Sequence, residues 1–503
     1  MKVKRLQLQN YGRFEDLGIN FAPTAEKTSN VTVIVGNNGA GKSQILQALA
    51  TSLSWFVARL SDDNRDGEEL TQSIIKNDNY MSSVQIIIED LIYVEKNEKW
   101  SEKNIQANWK IDVTREKKLR PATHGLNINN FSNVTKSYIH KFNLNQEASL
   151  PVLAYYPVER AIRNTPVEIS DNFVNNQFTA YDDALEKSVN FESFFSWFRE
   201  QEDIENEIKL KDSAYDSEDI QIKAIRIMEE MNYLHENINN NLNEEEHSNT
   251  QSRYQKYLLE IEDFQKIIES KKKRLEPKLE RLLTPIRKSI NRFTGFENIR
   301  IRRQGTPTMI VEKEGEELDV NQLSQGEKSL LALVGDIARR LALLNPSLNN
   351  PLEGEGVVMI DEVDLHLHPK WQHDLIDKLV KTFPNVQFIL TTHSPHVISD
   401  RNDILLYSLD DGELFEKPNV YGEDANTVLT KIFDVDIRDS KVEKQFTVIR
   451  RAISKHDYMT AESNIVELAE KLPSDHLELL KCRLLLAQAK LNDEGDKPSY
   501  AED

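Results

Sequence analysis

The octapeptide Gly36-Asn37-Asn38-Gly39-Ala40-Gly41-Lys42-Ser43 constrains this chain more than any other segment. It matches GxxxxGK[ST] in full, and its neighbours supply the context that the pattern requires. Before it lies Val31–Val35 (VTVIV), a short β-branched apolar run that reads as a buried strand. After it comes ILQALATSLSWFVARL, whose apolar periodicity reads as a helix. Strand, glycine loop and helix bring backbone N–H groups together at a helix N-terminus, where they converge on phosphate oxygens. In such a loop Lys42 reaches the β and γ phosphates, and the Ser43 hydroxyl ligates Mg2+. The expected cofactors are therefore ATP and Mg2+.

A second apolar run, Val357-Val358-Met359-Ile360, ends in Asp361-Glu362. A buried strand there would hold Asp361 beside Mg2+ at the end of a sheet, and Glu362 would polarise the attacking water. Between the two motifs stands Leu323-Ser324-Gln325-Gly326-Glu327-Lys328-Ser329, followed by the apolar helix SLLALVGDIARRLALL.

LSQGE resembles the LSGGQ-type signature of ABC ATPases in their SMC, Rad50 and RecF-like branch. The likeness continues in Asp364-Leu365-His366-Leu367-His368-Pro369, similar to the family's D-loop, and in Phe388-Ile389-Leu390-Thr391-Thr392-His393-Ser394-Pro395, a strand ending in a switch histidine. His366 and His368 sit two apart like a metal pair, but this is a usual D-loop spelling in related ATPases, and no metal site is read there. The resemblance implies an α/β, ABC/SMC-type P-loop head with Lys42, Glu362 and His393 as catalytic residues. It adds Ser324, Gly326 and Glu327 as ATP contacts made across to an opposite subunit. Asn10-Tyr11-Gly12-Arg13-Phe14 is similar to the family's first hairpin, which makes Arg13 a nucleotide-contacting candidate. The family's Q-loop glutamine has no obvious counterpart; Gln177 is one candidate position. Because the signature completes a second copy's site, the resemblance implies a homodimer, or an assembly of dimers, in which ATP holds two heads together.

Composition organises the rest. Residues 1–200 read as the N-terminal lobe of the head, 201–290 as a helical or coiled-coil insertion, 291–417 as the C-terminal lobe and 418–503 as a helical region. From about Phe191 to Ile290 the chain is polar, charged and almost free of glycine and proline. Tyr254, Ile261, Ile268, Leu275 and Leu282 recur every seventh residue, the pattern of a coiled-coil seam. With the weaker stripe Ile222, Ile225, Met228 and Met231 it reads as an antiparallel hairpin reaching about 45–60 Å. An ordinary helical subdomain fits the same residues. The aromatic segment Phe191–Phe198 reads as core packing rather than a binding surface. Helices are expected at Ala425–Ile432, Ser440–Ser454, Tyr458–Leu472 and His476–Leu491.

Net charge is −20, which argues against a uniformly basic nucleic-acid coat. Two local clusters, Lys271 to Arg274 and Arg300, Arg302 and Arg303, read either as solvated faces or as a DNA path. The lone Cys482 rules out an internal disulfide or a cysteine-based zinc site. No apolar run of about 18 residues is present, so neither a membrane span nor a membrane partner is expected, and a reducing cytoplasm is the natural setting.

A short insertion and one cysteine differ from Rad50, with its long coils and zinc hook. The helical C-terminal region is too short for the nuclease domain of the OLD family, and Asp434 and Asp436 imitate a DxD without its strand context. No nuclease motif is read in the chain. The LPVLAYYPVERA segment, the aromatic run and the helical tail are most similar to the ATPase subunit of Septu-type antiphage systems, including retron-attached forms. That resemblance implies a separate HNH nuclease partner, with the C-terminal region as its docking candidate, and DNA or retron nucleic acid as a further partner. The alternative is a stand-alone RecF- or SMC-like ATPase that clamps DNA for repair.

Overall fold

In the computed structural model the described residues are those of 1–495 except 63, 97–98, 116–127, 161–175, 187–191, 306, 434–439 and much of 218–281. The chain divides into two compact units, Met1–Gly422 and Glu423–Asp503.

The first unit is built on three sheets. In chain order its strands are β1 (Lys2–Tyr11), β2 (Phe14–Asn20), β3 (Val31–Gly36), β4 (Met81–Lys96), β5 (Lys99–Thr114), β6 (Val152–Tyr156), β7 (Glu297–Arg302), β8 (Thr308–Lys313), β9 (Glu316–Asp319), β10 (Gly356–Ile360), β11 (Val386–Thr391), β12 (Leu405–Asp410) and β13 (Glu413–Lys417). The central sheet has the order β13-β12-β3-β11-β10-β6. All its pairings are parallel except β12 with the edge strand β13. Every residue of β3, β6, β10 and β11 is buried, as parallel strands covered on both faces must be. Each large aliphatic side chain so buried contributes about 1.5–3 kcal/mol of transfer free energy. Helix α1 (Lys42–Ser61) leaves β3 through the glycine loop and packs its apolar face on this core.

A four-stranded antiparallel sheet, β2-β1-β4-β5, joins the same unit. Gln387 on β11 ties it to the central sheet: its amide donates to the Val3 and Ala22 carbonyls, and its oxygen accepts from Val3 N at 2.7 Å. Helix α2 (Ile128–Leu144) is followed by β6, and helix α3 (Glu192–Ser217) begins with the aromatic segment. Phe194, Phe195, Trp197 and Phe198 are fully buried, so this segment is core. The signature motif opens the helix Gln325–Leu344, whose Gly335 faces the Phe194 ring.

Within the insertion, residues 282–294 form a helix that buries Ile286 and Ile290. Leu258 is exposed, whereas Tyr254, Ile261, Ile268 and Leu275 lie outside the described residues, as do Lys271 to Arg274. The second basic cluster sits on the three-stranded sheet β7-β8-β9 and is neutralised locally. Arg300 pairs with Glu317 at 2.5 Å, Arg302 with Asp319 at 3.6 Å, and Arg303 with Asp203 at 2.6 Å and Glu202 at 3.1 Å. Ion pairing across the sheet for Arg300 and Arg302, and with α3 for Arg303, rather than a free basic face, accounts for these arginines.

The second unit holds the helices Ala425–Ile432, Ser440–Ser454, Tyr458–Ala469 and Leu477–Gly495. The last three share a core of Phe446, Ile449, Ala461, Ile465, Leu468, Leu479, Cys482 and Leu486. Cys482 is therefore a buried thiol in the core shared by these helices. Among the described residues no helix is long and apolar enough to cross a membrane. Asp434 and Asp436 lie outside the described residues.

The Gly335 contact is sharp enough to test. A Cβ there would lie 2.4 Å from Phe194 Cζ. Alanine normally gains about 0.5–1 kcal/mol over glycine inside a helix, while overpacking a core costs about 1–3 kcal/mol. Gly335→Ala should therefore lower the thermal unfolding midpoint, and a raised midpoint would show that the ring yields.

Candidate active site

Parallel pairing brings the ends of four strands to one edge of the central sheet. Ile360 is in register with Leu390 on one side and Tyr156 on the other, and Thr391 with Ile34. The glycine loop, the acidic pair, the switch histidine and the segment after β6 consequently emerge together.

Gly41 caps α1 with φ at 109°, a left-handed conformation that suits glycine, and a Cβ there would meet the Phe14 ring at 2.6 Å. The helix has no side-chain cap and no acidic residue in its first turn. Its N-terminal donors and dipole therefore favour an anion, and this donor set fits a nucleotide phosphate. Asn37, Asn38, Gly39 and Ser43 are exposed along the loop, while Ala40 and Lys42 are buried. Arg13 lies against the same loop, donating from Nη1 to the Gly39 carbonyl, with Nη2 3.6 Å from Asp411.

Lys42 uses its three protons within the loop and the site. Its Nζ donates to the Gly36 carbonyl at 2.9 Å and the Asn37 carbonyl at 3.1 Å, and lies 2.8 Å from His393 Nε2. An ammonium group only donates, so His393 Nε2 is the acceptor and the ring is neutral, with its proton on Nδ1. Burial pushes the His393 pKa below its ordinary value, and the Lys42 charge pushes it the same way. Burial also lowers the Lys42 pKa, against the opposing pull of Asp361, Glu362 and Asp364. Glu362 Oε1 sits 4.0 Å from His393 Nε2.

Beneath these groups Thr391 acts as a relay. Its hydroxyl donates to Asp361 Oδ1 at 2.5 Å and accepts from Glu362 N at 2.7 Å. Thr392 repeats the device one residue on, donating to Asp364 at 2.5 Å. Arg160, fully buried just beyond β6, donates to the Asp361 carbonyl at 2.5 Å and to the Glu362 carbonyl at 2.6 Å. Burial lowers its pKa to about 10, which still leaves it a cation at neutral pH. Neither the threonine relay nor Arg160 follows from motif spelling. The TT before His393 and the ER after the YYPV strand end are the only traces they leave in the sequence.

The signature residues are placed differently. Ser324 caps its helix in a reciprocal capping box: Glu327 N donates to Ser324 Oγ at 3.3 Å, and Ser324 N donates to Glu327 Oε2 at 2.9 Å. Glu327 also pairs with Lys313 at 2.8 Å. Burial raises the Glu327 pKa, but the hydrogen bonds from Lys313 and Ser324 outweigh it and hold the carboxyl below its usual range. Within one chain Glu327 is thus an architectural residue. Gly326 lies against the D-loop, where a Cβ would be 2.2 Å from the His366 carbonyl. His368 caps a short turn by accepting from Lys370 N at 3.2 Å. The structure therefore gathers Lys42, Asp361, Glu362 and His393 at one site, and seats Ser324, Gly326 and Glu327 against the D-loop and β8.

Gln177 is engaged within the chain. Its amide donates to the Ala148 and Leu344 carbonyls, both at 3.1 Å, which makes it a tie between backbone segments.

The signature helix is joined to the site through a buried cluster. Asp336 accepts from Tyr156 OH at 2.9 Å and pairs with Arg339 and Arg340, each at 2.7 Å. Burial would raise the Asp336 carboxyl, but the two guanidinium groups bring it down to about 2.

Comparison with known proteins agrees with this geometry. The model of the AAA ATPase domain family matches residues 1–398. The chain is similar to the Escherichia coli protein described as "Retron Ec83 probable ATPase", at 30% identity over 99% of this chain and 89% of that one. It is similar in part to Septu protein PtuA of Bacillus mycoides (strain KBAB4), at 41% identity over 15% of this chain and 10% of that one. Among solved structures it is similar to an Smc head domain of Pyrococcus furiosus bound to the C-terminal domain of ScpA, with TM-score 0.40, 15% identity, and coverage of 83% of this chain and 96% of that one. The chain belongs to the AAA ATPase domain family and, within it, to the retron ATPases.

Proposed function

We propose that this chain is the ATP-hydrolysing subunit of a bacterial antiphage complex, in which pairs of heads close around ATP and gate a separate HNH-type nuclease. The observation that carries the reading is the convergence of Lys42, Asp361, Glu362 and His393 at the uncapped N-terminus of α1, in a relative of retron ATPases. Lys42 would exchange its loop carbonyls for phosphate oxygens, and Glu362 would orient and deprotonate the attacking water beside neutral His393. Ser43 and Asp361 would hold Mg2+, which supplies charge neutralisation at the phosphates when bound. Ser324 and Gly326 would complete the site of a second head, so that ATP favours the closed pair through contacts made only there.

The head, insertion and helical region then divide the work near the boundaries 200, 290 and 417. Neutralisation of Arg300, Arg302 and Arg303 by Glu317, Asp319, Asp203 and Glu202 favours gating over a DNA clamp built on that cluster. The docking candidate is the last helix, Leu477–Gly495. One face packs into the core of its own unit, yet Leu477, Leu480, Leu484 and Leu491 stay exposed at seam spacing. The positions beside this seam carry Lys481, Arg483 and Lys490, with Lys481 3.7 Å from Glu478 and Lys490 paired with Glu462. Two copies would set like charges together, so the better occupant is an amphipathic helix of the nuclease with acidic flanks.

Three measurements test the reading. Lys42→Ala should abolish ATP binding in equilibrium titration; undiminished affinity would remove the phosphate-loop assignment. Glu362→Gln should bind ATP, lose about 10²–10⁴-fold in turnover as expected for a missing general base, and accumulate closed dimers by light scattering. Normal turnover would show that Glu362 is not the base. Leu480→Glu with Leu484→Glu should leave ATPase activity intact and release a co-purified nuclease; retention of the nuclease would place docking elsewhere.

A further inference from the structure

The acidic pair has an unusual backbone. Glu362 adopts φ of 46°, the left-handed region that non-glycine residues seldom occupy. In an extended strand, successive carbonyls point to opposite sides. A left-handed residue at position 362 turns the Asp361 and Glu362 carbonyls toward one side, and there a single guanidinium takes both. Arg160 Nη1 meets the Asp361 carbonyl at 2.5 Å and Nη2 meets the Glu362 carbonyl at 2.6 Å, while Nη1 also bonds the Pro157 carbonyl at 3.1 Å. From the other side, Glu362 N is fixed by Thr391 Oγ1 at 2.7 Å. The peptide units around Glu362 are thus clamped between β11 and the end of β6.

We propose that Arg160 is a positioning residue for hydrolysis, whose planar fork holds the Asp361-Glu362 backbone in the turned conformation that aims the Glu362 carboxylate at the attacking water. A guanidinium is suited to this role because its donors lie in one rigid plane and reach two acceptors at fixed spacing. A lysine ammonium also has several donors, but they radiate from one nitrogen without a rigid plane to fix the spacing of two carbonyls. Arg160 is fully buried and directs its bonds to backbone, so it aligns the base without touching the nucleotide. Its loss should therefore reduce turnover and spare ATP affinity. The inference rests on Glu362 being the base.

The test uses the full chain with Arg160→Met and Arg160→Lys, each alone and combined with Glu362→Gln. ATP affinity, steady-state kcat, single-turnover hydrolysis and the thermal midpoint are measured for every variant. The expected result for Arg160→Met is a fall in kcat of about tenfold or more with ATP affinity within about threefold of the parent, the signature of an interaction that matters after binding. Arg160→Lys should lie between the two. In the Glu362→Gln background, Arg160→Met should alter residual single-turnover hydrolysis by less than about twofold, because residues acting through one another are not additive. Parental kcat in Arg160→Met overturns the proposal. So does an equal fold-loss in both backgrounds, or a parallel fall of affinity, kcat and thermal midpoint, which marks a merely structural residue. If Arg160→Met is insoluble, Arg160→Lys decides between the same outcomes through its kcat and affinity. Parental turnover in Glu362→Gln alone removes the base assignment and this inference with it. Normal Arg160 variants beside an inactive Glu362→Gln remove only the inference.

Discussion

Strand β11 pairs in parallel with β3 on one side and β10 on the other, and the site depends on that pairing. Parallel strands all end on the same side, so loops that are distant in sequence meet without any loop having to be long. β3 delivers Lys42, β10 delivers Asp361 and Glu362, and β11 delivers Thr391 and His393. The register also fixes depth. Because Ile360 sits opposite Leu390, the Thr391 hydroxyl falls level with Asp361 and the Glu362 amide, and one side chain can serve both. A one-residue slip would turn the Thr391 side chain to the other face of the sheet and break the relay.

Much of this was legible in the sequence because burial on both faces forces a continuous apolar run. VTVIV, VLAYY, VVMI and VQFIL could hardly be anything but central strands, and the polar residues closing each run had to lie at the sheet's edge. The C-terminal helices were legible for the complementary reason, a periodic apolar face interrupted by turns. Arg160 was not, because its partners are main-chain carbonyls two hundred positions away, and carbonyls carry no residue identity. Gln177 shows a role of the same kind. A glutamine in about the right part of the chain proved to be holding the Ala148 and Leu344 carbonyls, a task invisible to spelling. The Arg300–Arg303 cluster was left open between a solvated face and a DNA path for the same reason, since its acidic partners come from β9 and from α3, about a hundred residues earlier.

The signature segment shows how one motif serves two purposes. Ser324 and Glu327 use hydrogen bonds to start their own helix, a capping box that contributes about 0.5–2 kcal/mol. The same helix reaches back into the core through Asp336, where a carboxylate held by two arginines and the Tyr156 hydroxyl is fully buried. Breaking such a cluster by removing one partner costs about 3–5 kcal/mol, because an unpaired buried charge remains. Arg339 and Arg340 lie on the same helix as Asp336, so the cluster's link to β6 is the bond from the Tyr156 hydroxyl. Tyr156, at one end of that link, lies four residues from the arginine that grips the Asp361 and Glu362 carbonyls.

This arrangement sets a condition on any ligand-driven change at the site. The acidic pair is clamped by Arg160 and Thr391, both buried, so its backbone has little freedom to respond on its own. Lys42 is different. Its partners are two loop carbonyls and a neutral imidazole, each replaceable by a phosphate oxygen that would take the same protons with a full negative charge. Lys42 is already a charged donor to these groups, but a phosphate oxygen would add the opposite charge, so the exchange would favour the nucleotide and release the His393 nitrogen from its donor. A freed Nε2, 4.0 Å from Glu362, would be available for hydrogen bonding beside that carboxylate. Lys42 and His393 are thus the members of the site whose bonding would change on phosphate binding, while the Asp361 and Glu362 backbone is held by Arg160 and Thr391.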